Sequence, residues 1–215
     1  MGNEAFKPVI NESLDKPDNI EVLRGHIAAI IKGETQYQYK MAKDIEEKDA
    51  EDYNHRVFIE NARPYDPEGE PQITPFVNVM LHQTTPAGGN SRIGAQKMKA
   101  TFIIDCVAFG NDGGEEWNEK VANFRAWKAA RVIRKIIMSE QYAYLGLKGK
   151  VGSRNITSME TRVPESGGDA FTFVIVRITL EAEYLESFVG DPGVPLEGID
   201  YTVIPTNGEV LIEID

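Results

Sequence analysis

The chain has 215 residues, of which 41% are hydrophobic and 27% are charged, and its formal net charge at pH 7 is −11. This composition is typical of a folded protein of one domain plus an extension, and it excludes a disordered chain. The negative charge argues against a surface that wraps DNA, because such a surface needs basic residues to displace counterions from phosphates.

The first residues predict neither secretion nor lipidation. They lack a basic segment followed by an apolar core, so we expect no signal peptide. Phe6 stands where a myristoylation signal has Ser or Thr. No stretch approaches the roughly 18 apolar residues of a membrane span, so we expect synthesis in a reducing cytoplasm and no membrane contact.

A long helix is predicted after the opening segment. Asp18 and Glu21 have the spacing of a capping box at a helix start. An apolar stripe with helical spacing follows: Ile20, Leu23, Ile27, Ile30 and Ile31. The same face is continued by Tyr37, Met41 and Ile45. We therefore predict one helix to about Glu47, bent at Gly33.

The next segment predicts strands. Val57–Glu60 is a short candidate strand, and Ile73–His82 pairs with Lys97–Phe109 in a long predicted hairpin. The loop Thr84–Gly94 between them is rich in turn-forming residues. Its polar tip is a candidate functional loop, made of Gly88, Gly89, Asn90, Ser91 and Arg92.

A second helix is predicted over Glu115–Ser139, with acidic residues at its start and basic residues at its end, as the helix dipole favours. Trp117, Val121 and Phe124 form a stripe in its first half. Its second half is apolar on several sides, which indicates cover by the chain's own sheet on one side and by a neighbouring subunit on the other. The basic residues have two interpretations, intrachain salt bridges or contact with an acidic helix of an adjacent subunit. Our candidates for intersubunit contact here are Lys128, Arg131, Arg134, Lys135 and Ile137.

The C-terminal third predicts two strand pairs. Asn155–Val163 and Ala170–Glu186 form the first, and a phase break near Val176 indicates a bulge or a strand covered on both faces. Tyr201–Ile204 and Val210–Ile214 form the second, across an Asn-Gly turn. This last hairpin is predicted to be a detachable module that packs on another chain through Tyr201, Val203, Val210 and Ile212.

These elements predict an α+β fold, with a mixed or antiparallel β-sheet, two packed helices and a C-terminal β-hairpin extension. We divide the chain into an N-terminal arm (1–17), a core (18–189) that contains an insertion or linker (47–71), and a C-terminal extension (190–215).

No motif in the sequence predicts catalysis. His26, His55 and His82 lie in three different predicted elements, and no spacing among them and the lone Cys106 suits a metal site. The segment Gly110–Gly114 precedes a helix but lacks the residues of a phosphate-binding loop. We expect no catalytic residues, no metal and no cofactor, and we interpret Cys106 as a buried small side chain.

The layout of these elements resembles the tail terminator, or tail completion, proteins of tailed bacteriophages. The resemblance covers Asn19 to about Glu186: a first helix, a long hairpin with a polar tip, a helix containing Trp117 and Trp127, and a final strand pair. The segment 173–184, FVIVRITLEAEY, is similar to the last core strand of that family.

The resemblance implies a structural virion protein of the tail neck, made in the host cytoplasm, that is not an enzyme. Such proteins form a ring, usually hexameric, which caps the tail tube, ends its polymerisation and joins the head-side connector while DNA passes through the lumen. The implied partners are further copies of the chain, the tube protein and the connector, with DNA only in transit. The tip Gly88–Arg92 would lie near the lumen or an axial face. The residues beyond the family's smallest members, in 47–71 and 190–215, are what a contractile tail would use to engage a sheath.

Two other classes stay open. The first is another ring protein of the virion, either a head–tail adaptor or a tube protein. The strands argue against a mostly helical adaptor, and the two helices argue against a mostly β tube protein. The second is an enzyme or a small-ligand binder on an α+β scaffold. Buried titrating groups in a closed pocket would favour this class.

Overall fold

The computed structural model of the protein describes residues 18–60, 75–88, 95–110, 119–162 and 173–187, together with the backbone of 201–206 and 209–214. The predicted N-terminal arm, 1–17, lies outside the described residues.

The described chain alternates helices and strands around one sheet. Two helices are present: α1 (Asn19–Asp44), of about seven turns, and α2 (Glu119–Met138), of about five and a half turns. The strands are β1 (Arg56–Ile59), β2 (Phe76–Pro86), β3 (Ala95–Phe109), β4 (Val151–Arg162), β5 (Phe173–Ser187), β6 (Tyr201–Thr206) and β7 (Glu209–Ile214). Short 3₁₀ helices follow α1 and α2, at Ala50–Tyr53 and Glu140–Tyr142.

The sheet is mixed, with strand order β4-β5-β3-β2-β1-β7-β6. Among the strands that the structure describes, β1–β2 is the one parallel pair, and the other pairs are antiparallel. The five strands β1–β5 and the two helices confirm the predicted α+β class. Residues 56–59, which fall inside the predicted insertion, form a strand of this sheet through the parallel pairing of Val57 with Val77.

The start of α1 is the predicted capping box. The Asp18 carboxylate accepts a hydrogen bond from the Glu21 backbone N–H at 2.9 Å, and the Glu21 carboxylate accepts one from the Asp18 N–H at 3.1 Å. The helix runs without interruption through Gly33 and ends at Asp44, so the predicted extension to Glu47 is too long by three residues. Glu46 has a positive φ of 53°, which no helix interior accepts.

The long hairpin is confirmed, but its first strand extends further than predicted. β2 pairs with β3 from Phe76↔Val107 to Pro86↔Met98, with an irregularity between Leu81 and Gln83. The strand therefore continues through residues that sequence composition assigns to the loop. Proline is tolerated there because it stands at the last paired position of the strand.

Both helices cover one face of the sheet. In the helix-facing core, fully buried Phe102, Ile104 and Cys106 of β3 alternate with residues on the opposite face. The face that α2 buries is rich in small side chains: Ala122, Ala126, Ala129, Ala130, Ile133, Ile136 and Ile137. The predicted stripe of Trp117, Val121 and Phe124 is wrong for Phe124, whose side chain is 60% exposed; Trp117 lies outside the described residues.

The opposite face of the sheet is partly aromatic and partly polar. Phe58, Phe76 and Phe109 lie in a second buried cluster, in which neighbouring ring centroids are about 6 Å apart. Beside it the Arg177 guanidinium donates to both oxygens of Asp105 at 2.7 Å. A bidentate pair of this kind satisfies a carboxylate that is 6% exposed.

The phase break in β5 marks a strand covered on both faces. Val174, Ile175 and Val176 are buried in succession, and the ladder with β3 continues through them without a shift. The irregularities lie instead in the pairing of β5 with β4, between Val151 and Ser153 and beyond Ile156.

The C-terminus of α2 is held by an arginine of β4. Arg154 donates from Nε to the Ile137 carbonyl at 2.5 Å and from Nη2 to the Ser139 carbonyl at 2.6 Å, which satisfies two carbonyls at the end of the helix.

We expect Arg154→Ala to lower the free energy of unfolding by about 1–3 kcal/mol, since these acceptors become unpaired. Urea denaturation measures the change. Arg162→Ala is the matched control, because Arg162 is exposed and, within the described residues, its ion pair is with Glu160 of the same strand. An equal loss in both variants would contradict the capping role.

Candidate functional site

The candidate tip of the hairpin begins where the β2–β3 ladder ends. The Ala87 N–H donates to the Lys97 carbonyl at 3.0 Å, and Gly88 follows, exposed and with a φ of +80° that favours glycine. Gly89, Asn90, Ser91 and Arg92 lie outside the described residues. The position of the tip near a lumen or an axial face therefore stays a prediction.

The part of the hairpin that carries the tip is exposed and charge-balanced. Residues 82–86 of β2 are all exposed. On β3, Lys97 and Lys99 form ion pairs with Glu183 and Glu181 of β5, at 2.7 and 3.1 Å. The Lys97 ammonium lowers the pKa of the Glu183 carboxyl by hydrogen bonding. Both lysines are thus already matched by carboxylates, which leaves this described surface with little excess positive charge for phosphate.

Lys128, an intersubunit candidate, is paired within its own chain, and its contact with a second subunit stays a prediction. Its ammonium lies 3.1 Å from a carboxylate oxygen of Asp52 and 4.7 Å from the centre of the Tyr53 ring. Arg125 contacts the other oxygen of Asp52 at 2.7 Å. These three charged side chains are each less than 15% exposed, so the interaction ties α2 to the 3₁₀ helix after α1. The intrachain interpretation of the basic residues is correct here.

Ile137, by contrast, is wrong as an intersubunit candidate. Its side chain is fully buried in the helix-facing core of its own chain, so it has no surface to offer a neighbour. Arg131, Arg134 and Lys135 are exposed instead, and none of them forms an ion pair with another residue of the described part. Their contact with a second subunit stays a prediction.

The C-terminal hairpin is present and joins the sheet of its own chain. β6 and β7 pair from Tyr201↔Ile214 to Thr206↔Glu209, as the Asn-Gly turn predicts. Strand β7 then lies beside β1 through the pair Phe58↔Glu209. Of Tyr201, Val203, Val210 and Ile212 only the backbone is described, so contact of their side chains with another chain stays a prediction.

Several large hydrophobic side chains that the sequence reasoning did not single out as surface residues are exposed. On α1 these are Tyr37 and Met41, at 58% and 45% exposure, followed by Ile45 at the C-cap of the helix, at 71%. On α2 they are Phe124 and Met138, at 60% and 42%. Helix α1 has 26 residues, about 39 Å of helix, which is long for a single packed face. The predicted length of this helix was the signal in the sequence that part of its apolar stripe would extend beyond the core.

The titratable residues considered for chemistry are dispersed. Burial lowers the pKa of both His26 and His55 to about 4, His26 near the Leu145 backbone and His55 near Asp52. Burial also raises the pKa of the Cys106 thiol. Within the described ranges, no three His, Cys, Asp or Glu side chains come together in a way that suits a metal ion.

Comparison of the sequence with models of known protein families and with curated proteins finds no match. Among the described helices, none combines the length and apolarity that a membrane crossing requires.

The buried histidines predict a stability that falls in mild acid. In the unfolded chain a histidine has a pKa of about 6.5, so acid protonates the unfolded state before the folded one. The free energy of unfolding should therefore fall as the pH drops from about 6.5 towards 4, by about 2 kcal/mol per histidine at pH 5. Urea denaturation between pH 7 and 5 measures this slope. His55→Gln should reduce the slope by about half, because His26 still contributes, whereas replacement of the exposed His82 by Gln should leave it unchanged. A flat profile in the unmodified protein would contradict the prediction.

Deletion of residues 190–215 tests the predicted independence of the extension. Strands β6 and β7 form the edge of the sheet beside β1, and β2–β5 are paired without them, so the shortened chain should keep the circular dichroism signal of its helices and unfold cooperatively. We expect weaker self-association or partner binding, measured by light scattering. Complete loss of folded structure would instead assign the extension to the core.

Proposed function

We propose that the protein is a structural component of a bacteriophage virion, located in the tail neck. In this proposal its copies form a ring, sixfold by the resemblance, that caps the tail tube, ends tube polymerisation and joins the head-side connector. The protein acts through its surfaces, needs no cofactor and alters no molecule chemically.

The observation that carries the proposal is the order of the described elements. A helix, a long hairpin, a second helix and a final strand pair follow one another, and both helices lie on one face of a mixed sheet. This is the layout on which the resemblance to tail terminators rests. The exposed part of β2 extends the hairpin to a polar tip, which suits a loop that reaches a lumen or an axial face.

The exposed apolar side chains support an assembly role. Tyr, Phe and Met are enriched in the buried centres of protein interfaces, and an isolated monomer seldom leaves several of them uncovered on its helices. Here Tyr37, Met41, Phe124 and Met138 are each more than 40% exposed.

The proposed mechanism is geometric. A head-to-tail contact between identical subunits closes into a ring when its rotation allows closure, and otherwise it continues as a filament. A terminator presents one face that fits the last ring of the tube and a second face that no further tube subunit fits. Growth stops because the next subunit finds no partner surface.

The proposal is compatible with passage of DNA without capture. The chain has 34 acidic and 23 basic side chains, so an assembled ring repels phosphate overall. The pairing of Lys97 and Lys99 with glutamates keeps the described part of the hairpin from countering that repulsion.

Mass photometry and negative-stain imaging of the purified protein test the proposal. We expect annular particles of about six times the 24.0 kDa chain mass, either alone or after addition of purified tail tubes. Tubes added in the presence of the protein should carry one extra ring at one end and should no longer elongate.

The alternatives give different images. Continued growth of tubes that incorporate the protein would identify a tube subunit, and binding to connectors without binding to tube ends would identify an adaptor. A monomer that ignores tube ends at every concentration would overturn the ring proposal altogether.

A further inference from the structure

The apolar face of α1 continues beyond the part of the helix that the core covers. Leu23 and Ile27 of this face are fully buried, whereas Tyr37, Met41 and Ile45 are 58%, 45% and 71% exposed. Residues three, four or seven apart lie on nearly the same side of a helix. The five positions are separated by four, ten, four and four residues, and ten is three plus seven, so they share one stripe. We call the exposed end of this stripe, Tyr37, Met41 and Ile45, the α1 overhang; it is about 12 Å long.

The α1 overhang is bordered by acidic side chains. Asp44, Glu46 and Glu47 are exposed, and none of them forms an ion pair with another residue of the described part. Lys48 is the only cation in the stretch from 44 to 52. Just before this stretch, Lys43 is paired with Glu51 at 3.3 Å, and Lys40 is exposed. The surface at this end of the helix is therefore apolar in its centre, and its border has a small excess of negative charge, three carboxylates beside Lys40 and Lys48.

Helix α2 presents the complementary combination on its outward side. Phe124 and Met138 are 60% and 42% exposed, and the exposed Arg131 and Lys135 lie between them. Their spacing of seven, four and three residues places all four on the side opposite the buried alanines. We call this surface, Phe124, Arg131, Lys135 and Met138, the α2 outer face; it is about 21 Å long.

We propose that the α1 overhang of one protomer docks on the α2 outer face of a second copy of the chain. The proposal rests on the ring function proposed above and names the surfaces that join its subunits. The apolar side chains form the centre of the contact, and the acidic border of the overhang meets the basic residues of the outer face.

The charges favour this head-to-tail contact over a symmetric one. Two overhangs placed together would oppose acidic borders, and two outer faces would oppose basic residues, both of which are repulsive. In the proposed contact each protomer uses both surfaces, one towards each neighbour, which is the requirement for a closed ring.

Charge reversal on each surface tests the proposal. One variant carries Glu46→Lys with Glu47→Lys, and the other carries Arg131→Glu with Lys135→Glu. All four side chains are exposed, so we expect both variants to keep the circular dichroism spectrum of the unmodified protein. Each variant alone should lose rings, with at least a tenfold weaker assembly in mass photometry, because its two contact surfaces then carry the same charge.

Mixing the two variants gives the decisive measurement. The reversed overhang of the first variant matches the reversed outer face of the second, and the two unmodified surfaces also match each other. An equimolar mixture should therefore restore rings of alternating subunits, which native mass spectrometry identifies when one variant is isotope-labelled. Lys148→Glu, at an exposed position outside both surfaces, is the control and should leave assembly unchanged.

Failure of this inference is distinct from failure of the ring proposal. Rings in both separate variants, or no recovery in the mixture after loss in the separate variants, would overturn the proposed contact while rings of the unmodified protein still support the function. Absence of rings in the unmodified protein, with and without tail tubes, would overturn both.

Discussion

The close contact between α2 and the sheet is the constraint on which the rest of the structure depends. The alanines of α2 are fully buried against β3 and β5, and their small side chains bring the helix backbone near the strands. The same side of α2 also buries Ile133, Ile136 and Ile137, so the residues on the opposite side of the helix face away from the sheet. Phe124 and Met138 therefore point outwards, so the packing that closes the core also produces the apolar surface that we propose for assembly.

The buried ionic groups hold these layers in position. Asp52 joins Lys128 and Arg125 of α2, and on the other face of the sheet Asp105 joins Arg177. Each buried carboxylate has basic partners, which offsets the cost of removing its charge from water. The charges that remain exposed on the helices, at the end of α1 and on the outside of α2, are the ones available for recognition of another subunit.

Local signals in the sequence were enough to predict the helix start at Asp18, the long hairpin and the hairpin across Asn207-Gly208, because each depends on residues close together in the chain. Lys128 was not predictable in the same way, since its partner Asp52 is 76 residues away. Ile137 fitted an intersubunit stripe by spacing alone, and only the packed sheet shows which side of α2 is covered. The position along α1 at which the core stops burying the apolar stripe likewise depends on where the sheet ends. The periodicity of the residues does not encode that position.

The lone cysteine has a practical consequence for work on this protein. Cys106 is fully buried in the helix-facing core, and burial raises the pKa of its thiol, so reagents that need an accessible thiolate react slowly with the folded chain. It is also the only cysteine in the sequence. A single cysteine introduced on the surface can thus carry a fluorophore or a spin label at a chosen position, with no need to disturb the interior by first removing the native sulfur.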